Sequence, residues 1–500
     1  MRDGHAYNDD NPIAAFATIP GSGALTLIRC SGKGAIEAAS SVFAPDKLKG
    51  APGNSIVHGW IVKDGEKIDE VLVSVFRAPK SYTGEDGLDI SCHGGASAGK
   101  AVMSALSSAG FRDALPGEFT FRAFVNGKLD LTKAESVMEL VSAKTEISRR
   151  RAVSRLSGSL QTEIEEIKKL LVQVLSGAEI YLDYSEDEVG ADADEDEGKL
   201  PYLNIALEAL ERLKKLSASW QMERIYQEGV TVVIAGRPNA GKSSLFNALL
   251  KEDRSIVTEI PGTTRDWIEA WVSVEGIPVR LVDTAGLRES AEAVEKLGVD
   301  RSRKLLQEAD LVLYLIDGAQ GVTAEDRDLI SGAGNGRATE NIAANSGADS
   351  AHNTCNRQLL VWNKADIAPP PAAPPAPAQN FISASAKTGE GLARIYAAIS
   401  SAIRGQAASL QAASLQATSL QATLQDAPIT AAVGTERQKK LVDVAISALE
   451  EALALARREE PLDLIAPLLR DAVNSLGEIT GEVSTADILE EMFSRFCVGK

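Results

Sequence analysis

A glycine-rich segment, GRPNAGKSS at residues 236–244, places the strongest limit on how this chain folds. It follows the apolar run TVVIA and precedes SLFNALL, so the pattern predicts a strand, a tight loop and a helix. Glycines let the backbone approach phosphates, and the helix N-terminus adds a favourable dipole. In that loop Lys242 would reach the β and γ phosphates, and the Ser243 hydroxyl would bind Mg²⁺. Alone the segment is also compatible with a chance glycine-rich turn, but its context favours a phosphate-binding loop.

Two later motifs, each at the end of a predicted strand, indicate which nucleotide binds. In DTAG (283–286), Asp283 is suited to hold the Mg²⁺ sphere, and the Gly286 N–H to contact a γ-phosphate. In NKAD (363–366), Asp366 would accept hydrogen bonds from the guanine N1 and 2-amino groups. Adenine cannot supply that pair of donors, so the motifs favour guanine.

Two more motifs complete the pattern. SAK (385–387) follows the next strand and suits a loop that clamps the base, and PGTTRD (261–266) offers Thr264 to the metal. Five motifs in this order predict a GTP-binding domain. The residues predicted to bind GTP are Asn239, Ala240, Gly241, Lys242, Ser243, Ser244, Thr258, Glu259, Ile260, Pro261, Gly262, Thr263, Thr264, Asp283, Thr284, Ala285, Gly286, Asn363, Lys364, Ala365, Asp366, Ser385, Ala386 and Lys387.

The hydrophobic pattern divides the chain into three kinds of structure. Residues 11–115 alternate short apolar runs with Gly and Pro turns, which predicts an α+β unit. Residues 130–226 carry apolar positions at spacings of three and four, which predicts a helical bundle. Residues 229–404 alternate strands and helices, which predicts a parallel sheet covered on both faces. Helix resumes at 434–457, and we expect these late helices to pack back on the bundle.

Two segments resemble insertions, and a third resembles a linker. Residues 331–357 are rich in Gly, Asn and Ala, and 368–378 form a proline tract. Residues 406–427 repeat SLQA units without a periodic apolar face, so a loose linker is favoured over a marginal helix.

Length and composition exclude several classes. A chain of 500 residues is too long for one hydrophobic core. Its four cysteines lie far apart, which excludes a disulfide scaffold and a cysteine-based zinc site. The sequence has no stretch of 18 apolar residues and no signal-peptide pattern at its start, so we expect a cytoplasmic protein without a membrane span.

The charge balance bears on nucleic-acid binding. The chain carries 52 basic and 70 acidic residues, a net charge of −18, which disfavours a broad basic face of its own. If nucleic acid is a substrate, a partner supplies much of the binding charge. Residues 186–197 hold eight of the acidic residues, and a solvated loop is favoured there over a metal-binding cluster.

Departures from the Ras-like pattern affect the predicted chemistry of hydrolysis. Leu287 follows DTAG where Ras-like enzymes place a water-orienting glutamine, and leucine cannot polarise water. Asn239 offers an oxygen beside the phosphates, either to a monovalent cation or only to the loop's own backbone. Glu295 is a candidate for ordering water, although its spacing alone favours a solvated helix face.

The motifs and their flanking sequences together resemble the MnmE (TrmE) family of tRNA modification GTPases. The resemblance extends to IAAFATIPGSGALTLIRCSG (13–32), RAPKSYTGEDGLDISCHGG (77–95), PGEFTFRAFVNGKLDLTKAE (116–135) and the terminal FCVGK (496–500). It implies a multidomain α+β / all-α / α/β fold: an N-terminal folate-binding domain, a discontinuous helical bundle and an inserted Ras-like P-loop G domain. The expected bounds are 1–122 for the folate-binding and dimerisation domain, 123–228 and 431–500 for the helical domain, 229–404 for the G domain and 405–430 for the linker.

The resemblance also assigns residues to a tetrahydrofolate derivative. Arg29, Glu85, Lys128 and Lys500 match the family's folate contacts, although each alone reads as a surface charge, a turn residue or a chain end. Cys497 lies in the terminal motif and is a candidate for the catalytic chemistry. As a lone cysteine it also fits a small buried hydrophobe.

Carried over in the same way, Mg²⁺ binds Ser243 and Thr264. Potassium binds Asn239, Thr258, Ile260 and Thr263, and Glu295 positions water. The family acts as a homodimer with an FAD-containing MnmG partner, and it adds an aminomethyl-type group to C5 of the wobble uridine of certain tRNAs. Two rivals remain at this point, a ribosome-assembly GTPase and a folate-binding regulatory switch.

Overall fold

The computed structural model describes two compact units, each built from several chain segments. The first contains Met1–Met138, Arg155–Lys214 and Glu436–Lys500, and the second contains Glu139–Ser154 and Lys215–Thr435. Within them the structure describes residues 7, 11–19, 21, 23–183, 202–252, 268–283, 306, 309–327, 358–371, 381–412, 431–483 and 486–499.

The described chain contains both strands and helices. The strands are β1 Ile13–Phe16, β2 Leu25–Ser31, β3 Phe43–Ala44, β4 Ser55–Lys63, β5 Glu66–Phe76, β6 Gly87–His93, β7 Arg112–Asp113, β8 Val230–Gly236, β9 Ile268–Val274, β10 Ile277–Asp283, β11 Leu311–Asp317, β12 Gln358–Asn363 and β13 Phe381–Ser383. The helices are α1 Ala35–Ser40, α2 Ala96–Ser108, α3 Glu118–Val125, α4 Leu131–Ser142, α5 Glu146–Leu156, α6 Ser159–Asp183, α7 Leu203–Glu228, α8 Lys242–Glu252, α9 Leu392–Ala412, α10 Glu436–Arg457, α11 Leu462–Thr480 and α12 Ala486–Ser494.

The first unit contains a seven-stranded sheet in the order β3-β4-β5-β6-β2-β1-β7. The pairs are antiparallel except β1 with β7. Alternation along β5 buries Val71, Val73 and Val75 and turns Glu70 and Leu72 to solvent. Helix α2 covers the buried face of this sheet, because Val102 and Leu106 join the same apolar cluster as those valines.

Helices from two distant parts of the chain pack together in the first unit. α11 contacts both α6 and α10. The Arg437 guanidinium of α10 donates from Nε and Nη2 to the two carboxylate oxygens of Glu135 on α4, both at 2.9 Å. Glu135 is buried, so this pair links the segments in a low-dielectric setting. The discontinuous helical domain implied by the resemblance is therefore confirmed.

The second unit contains a six-stranded sheet in the order β13-β12-β11-β8-β10-β9. All its pairs are parallel except β9 with β10. The predicted parallel sheet is therefore confirmed, and it carries one antiparallel edge strand, β9, for which the sequence pattern makes no prediction. The two-residue turn at Glu275 and Gly276 joins β9 to β10 directly, and a connection that short permits only antiparallel pairing.

The repeat segment departs from the loop prediction at its start. α9 continues to Ala412, so the loose-linker interpretation and the 404/405 boundary are wrong for residues 405–412. Gln, Ala and Leu are good helix formers, and a helix that is already nucleated extends through them at little cost. Residues 413–430 lie outside the described part, as do 186–197, 331–357 and 372–378.

No described helix is both long and apolar enough to cross a membrane.

Candidate functional site

The phosphate-loop motif folds as the sequence predicts, between the end of β8 at Gly236 and the start of α8 at Lys242. The loop uses left-handed backbone at Asn239, with φ of 65°, and at Gly241, with φ of 91°. A Cβ atom on Gly241 would lie 2.3 Å from Nδ2 of Asn363, which is an impossible contact. Glycine is therefore required at 241 both for its backbone angle and for space.

The Lys242 side chain lies along the loop that it is predicted to serve. Its Nζ donates to the carbonyl oxygens of Gly236 at 3.0 Å and Arg237 at 2.9 Å. Only 8% of the residue is exposed, so the ammonium is held inside the cradle. From this location, a small movement of Nζ would replace its carbonyl partners with phosphate oxygens.

Ser243 and Asp283 meet as the metal prediction requires. The Ser243 Oγ donates to Oδ2 of Asp283 at 2.7 Å, and Asp283 at the end of β10 is fully buried. A hydroxyl and a carboxylate oxygen are the hard ligands that Mg²⁺ prefers. The two residues therefore fit a magnesium ion beside the phosphate loop.

Asn363 connects the phosphate loop to the predicted base-binding loop. Its Nδ2 donates to the Ala240 carbonyl oxygen at 2.8 Å, and its Oδ1 accepts from the Ala386 N–H at 3.1 Å. Asn363 is only 2% exposed, so both bonds are shielded from water. One buried side chain thereby joins three of the five sequence motifs, those around residues 240, 363 and 386.

Asp366 lies at the surface beside the SAK loop. The Ser385 hydroxyl donates to its Oδ1 at 2.7 Å, and the Ala365 N–H donates to the Ala384 carbonyl at 3.1 Å. Ser385 is completely buried, so it fixes the direction of an otherwise exposed carboxylate. Lys387 follows as an exposed residue of the same turn.

Three residues around this site were missed by sequence reasoning. Asp317, the last residue of β11, accepts from Lys364 Nζ at 2.8 Å, and Arg237 pairs with Glu325 at 3.1 Å. For Asp317 the signal was available, because it ends an apolar strand beside the NKAD strand. The Arg237–Glu325 pair joins residues 88 positions apart, and no local sequence pattern indicates it.

The Asn239 side chain is exposed and makes no hydrogen bond within the part of the chain that the structure describes. The alternative that it caps the loop backbone is therefore not what the structure shows. The other predicted residues of this site and the terminal lysine lie outside the described residues, namely Thr258, Glu259, Ile260, Pro261, Gly262, Thr263, Thr264, Thr284, Ala285, Gly286, Glu295 and Lys500.

A second polar site lies in the first unit. A cavity of about 110 Å³ opens beside β2 and β6, and Arg29 lines it. The guanidinium donates from Nε to Oδ1 of Asp89 at 3.0 Å and from Nη2 to Oδ2 at 3.2 Å. The other polar side chains of the lining are Ser31, Ser81, Tyr82 and Thr83.

Glu85 is hydrogen-bonded to a residue of this lining. The Ser31 hydroxyl donates to its Oε2 at 3.0 Å, and Arg122 Nη1 donates to it at 3.2 Å. Arg122 also bonds Glu118, which is completely buried. Burial alone would raise the pKa of Glu118, but bonds from Arg112, the Leu115 N–H and Arg122 outweigh it and lower the pKa. Glu118 therefore stays ionised, and it shares Arg122 with Glu85.

Lys128 and Cys497 lie near the same region. Lys128 Nζ donates to the Pro79 carbonyl at 3.1 Å, at the start of the loop that carries Glu85. The Cys497 carbonyl accepts from the Gly117 N–H at 3.4 Å, and its thiol belongs to an exposed residue. Cys30, which lines the cavity, is buried, and burial raises the pKa of its thiol. Cys497 is thus the more accessible of these two thiols.

The Asp366 geometry generates a testable prediction. We expect Asp366→Asn to weaken GTP binding by about ten- to a hundredfold, because one charge-assisted hydrogen bond of about 1.5–3 kcal/mol, to the guanine 2-amino group, is lost. The same variant gains affinity for xanthosine triphosphate, whose 2-oxo group accepts where guanine donates. Titration calorimetry with both nucleotides measures the exchange. Unchanged GTP affinity, or no gain for the xanthine nucleotide, contradicts the assignment.

The chain matches two family models. One, the MnmE helical domain, matches residues 131–497, and the other, the GTP-binding protein TrmE N-terminus, matches residues 12–128. Among solved structures, the G domain of the T. maritima FeoB iron transporter is 25% identical, covers 35% of this chain and 98% of its own, and gives a TM-score of 0.24.

Curated relatives match over nearly the full length. The tRNA modification GTPase MnmE of Treponema denticola is 42% identical over 502 residues, covering 99% of each chain. The protein of the same name from Carboxydothermus hydrogenoformans is 38% identical, covering 98% of this chain and all of the relative. With these matches and the site geometry together, the chain belongs to the MnmE family of tRNA modification GTPases.

Proposed function

We propose that this chain is a GTP-hydrolysing tRNA modification protein. With an FAD-containing MnmG-type partner, it adds an aminomethyl-type (carboxymethylaminomethyl) group to C5 of the wobble uridine of certain tRNAs. The observation that carries the proposal is the joined phosphate loop and guanine site, in a chain 42% identical over 99% of its length to a relative named for this activity.

In the proposed hydrolysis, the chain's own residues hold the nucleotide. Lys242 binds the β and γ phosphates, and Asp366 binds the guanine edge. Ser243 and Thr264 hold Mg²⁺, with Asp283 supporting the ion, and the bound metal neutralises charge on the phosphates. Support comes from the Ser243–Asp283 contact of 2.7 Å.

Hydrolysis also needs compensation for the negative charge that develops between the β and γ phosphates. We assign this to K⁺ held by Asn239, Thr258, Ile260 and Thr263, with Glu295 positioning water in place of the missing glutamine. Support comes from the exposed Asn239 side chain, which has no protein partner among the described residues and is available to a cation.

The one-carbon unit in the proposal comes from a tetrahydrofolate derivative bound in the first unit, by Arg29, Glu85, Lys128 and Lys500. Support comes from the cavity that Arg29 lines and from the hydrogen bond that Ser31, another lining residue, donates to Glu85. Cys497 is proposed to act near this site.

A homodimer is part of the proposal. Support comes from the open face of the seven-stranded sheet, where Leu25 is 66%, Ile56 is 69% and Leu72 is 49% exposed. Strand registry places all three on one face. Exposed apolar residues grouped in this way are typical of an interface. The net charge of −18 fits a partner that contributes tRNA-binding charge, in a cytoplasmic complex.

The first prediction from this proposal concerns potassium. We expect KCl to accelerate GTP hydrolysis relative to NaCl at equal ionic strength, because a K⁺ ion beside the phosphates offsets developing charge. Asn239→Ala should lose most of this acceleration while GTP affinity changes little. Phosphate release in the two salts measures both. Equal rates of the wild-type protein in the two salts would remove the cation role of Asn239.

The second prediction concerns the output on tRNA. Deleting the chain should remove the C5 derivative of the wobble uridine, and Lys242→Ala should fail to restore it, because phosphate binding is lost. Lys251→Ala, an exposed lysine at the other end of α8, is the matched control and should restore it. Nucleoside mass spectrometry of bulk tRNA measures the C5 derivative in the deletion strain and in both complemented strains. An unchanged nucleoside after deletion would favour ribosome assembly as the output.

A further inference from the structure

A cross-strand ion pair in the cavity of the first unit involves a residue that neither the motifs nor the relatives' names single out. Arg29 on β2 and Asp89 on β6 are direct partners in the strand registry. They form two hydrogen bonds of 3.0 and 3.2 Å, and both line the cavity. The Arg29 side chain is 27% exposed and that of Asp89 is 20% exposed, so both charges are mostly withdrawn from water.

The edge of the guanidinium that Asp89 occupies determines which donors of Arg29 remain for a ligand. Its two oxygens take Nε and Nη2 of Arg29. An arginine has five N–H donors in a rigid plane, so three donors, including both on Nη1, stay available. Two bonds along one edge also prevent the guanidinium from rotating. The arrangement presents the remaining edge in a fixed direction to a planar oxo group or a carboxylate.

We infer that Asp89 is a positioning residue for the folate site: it holds the Arg29 guanidinium so that its free edge contacts the one-carbon carrier. Asp89 acts through Arg29, since both of its carboxylate oxygens already accept from the guanidinium. The inference rests on the proposed folate function, and it adds a positioning residue to which the motif resemblance assigns no role.

Alternative roles for Asp89 make different predictions. As a purely structural sheet residue, it would affect stability but not ligand affinity. As a direct ligand contact, it would affect affinity whatever residue stands at 29. Only a positioning role makes the effect of Asp89 depend on the arginine at 29.

The experiment is a double-mutant cycle on the full chain, with 5-formyltetrahydrofolate as the probe and titration calorimetry as the readout. We expect Asp89→Asn to weaken binding roughly tenfold, because the amide holds the guanidinium with one weaker bond. Arg29→Lys should weaken binding by at least as much, since an ammonium lacks the planar fork. In the Arg29→Lys background, Asp89→Asn should then change affinity less than twofold.

A matched control comes from the second unit. Glu269 pairs with Arg280 between β9 and β10 at 2.7 Å, with side-chain exposures of 22% and 33%. Glu269→Gln removes a comparable charge and should leave folate affinity unchanged. GTP affinity and the thermal unfolding midpoint, measured for each variant, report folding independently of the folate site.

Each outcome is decisive. Wild-type affinity in Asp89→Asn overturns the inference while the folate function stands. A full tenfold loss in the Arg29→Lys background overturns the positioning role in favour of direct contact. If the wild-type protein does not bind the probe, or if Arg29→Lys binds it as well as wild type does, the proposed folate site itself is wrong.

Discussion

The nucleotide site depends on one buried amide, the side chain of Asn363. It accepts from the base-binding loop at Ala386 and donates to the phosphate loop at Ala240, so it joins two loops that are distant in sequence. Gly241 must lack a side chain because this amide occupies the space beside it. An unpaired buried amide is costly, and a fully paired one in a low-dielectric site is rigid. Asn363 therefore holds together the two loops that are predicted to bind the base and the phosphates.

In the first unit, contacts between distant segments play a comparable part. Phe493 near the chain end is completely buried, and its ring lies 5.4 Å from that of Phe121, edge to face. Glu135 binds Arg437 across 302 residues. The contact between Phe493 and Phe121, together with the hydrogen bond from the Gly117 N–H to the Cys497 carbonyl, holds the C-terminal segment against α3 and the loop before it. Phe119 on α3 lines the cavity that also contains Arg29, so the same packing keeps the terminal motif near that cavity.

Much of this was predictable from local pattern. The phosphate loop, the strand ends that carry Asp283 and Asn363, and the helical domain follow from periodicity and motif order. The sequence pattern does not identify side-chain contacts that depend on strand registry or on packing between distant segments. Asp89 reads as an ordinary strand residue until registry places it opposite Arg29. The antiparallel edge strand β9 was not predicted, because a tight turn sets its pairing with β10. The helical start of the repeats was mispredicted, because α9 is already nucleated and extends into them.

Through Asn363, the phosphate loop and the predicted base-binding loop form one hydrogen-bonded unit. The most direct test measures the affinity of Asn363→Ala for GDP and, by competition, for inorganic tripolyphosphate, which has no base. We expect both affinities to fall by a similar factor, about tenfold or more, because the phosphate loop loses its bond at the Ala240 carbonyl. A loss for GDP with unchanged tripolyphosphate affinity would show instead that Asn363 serves the base alone.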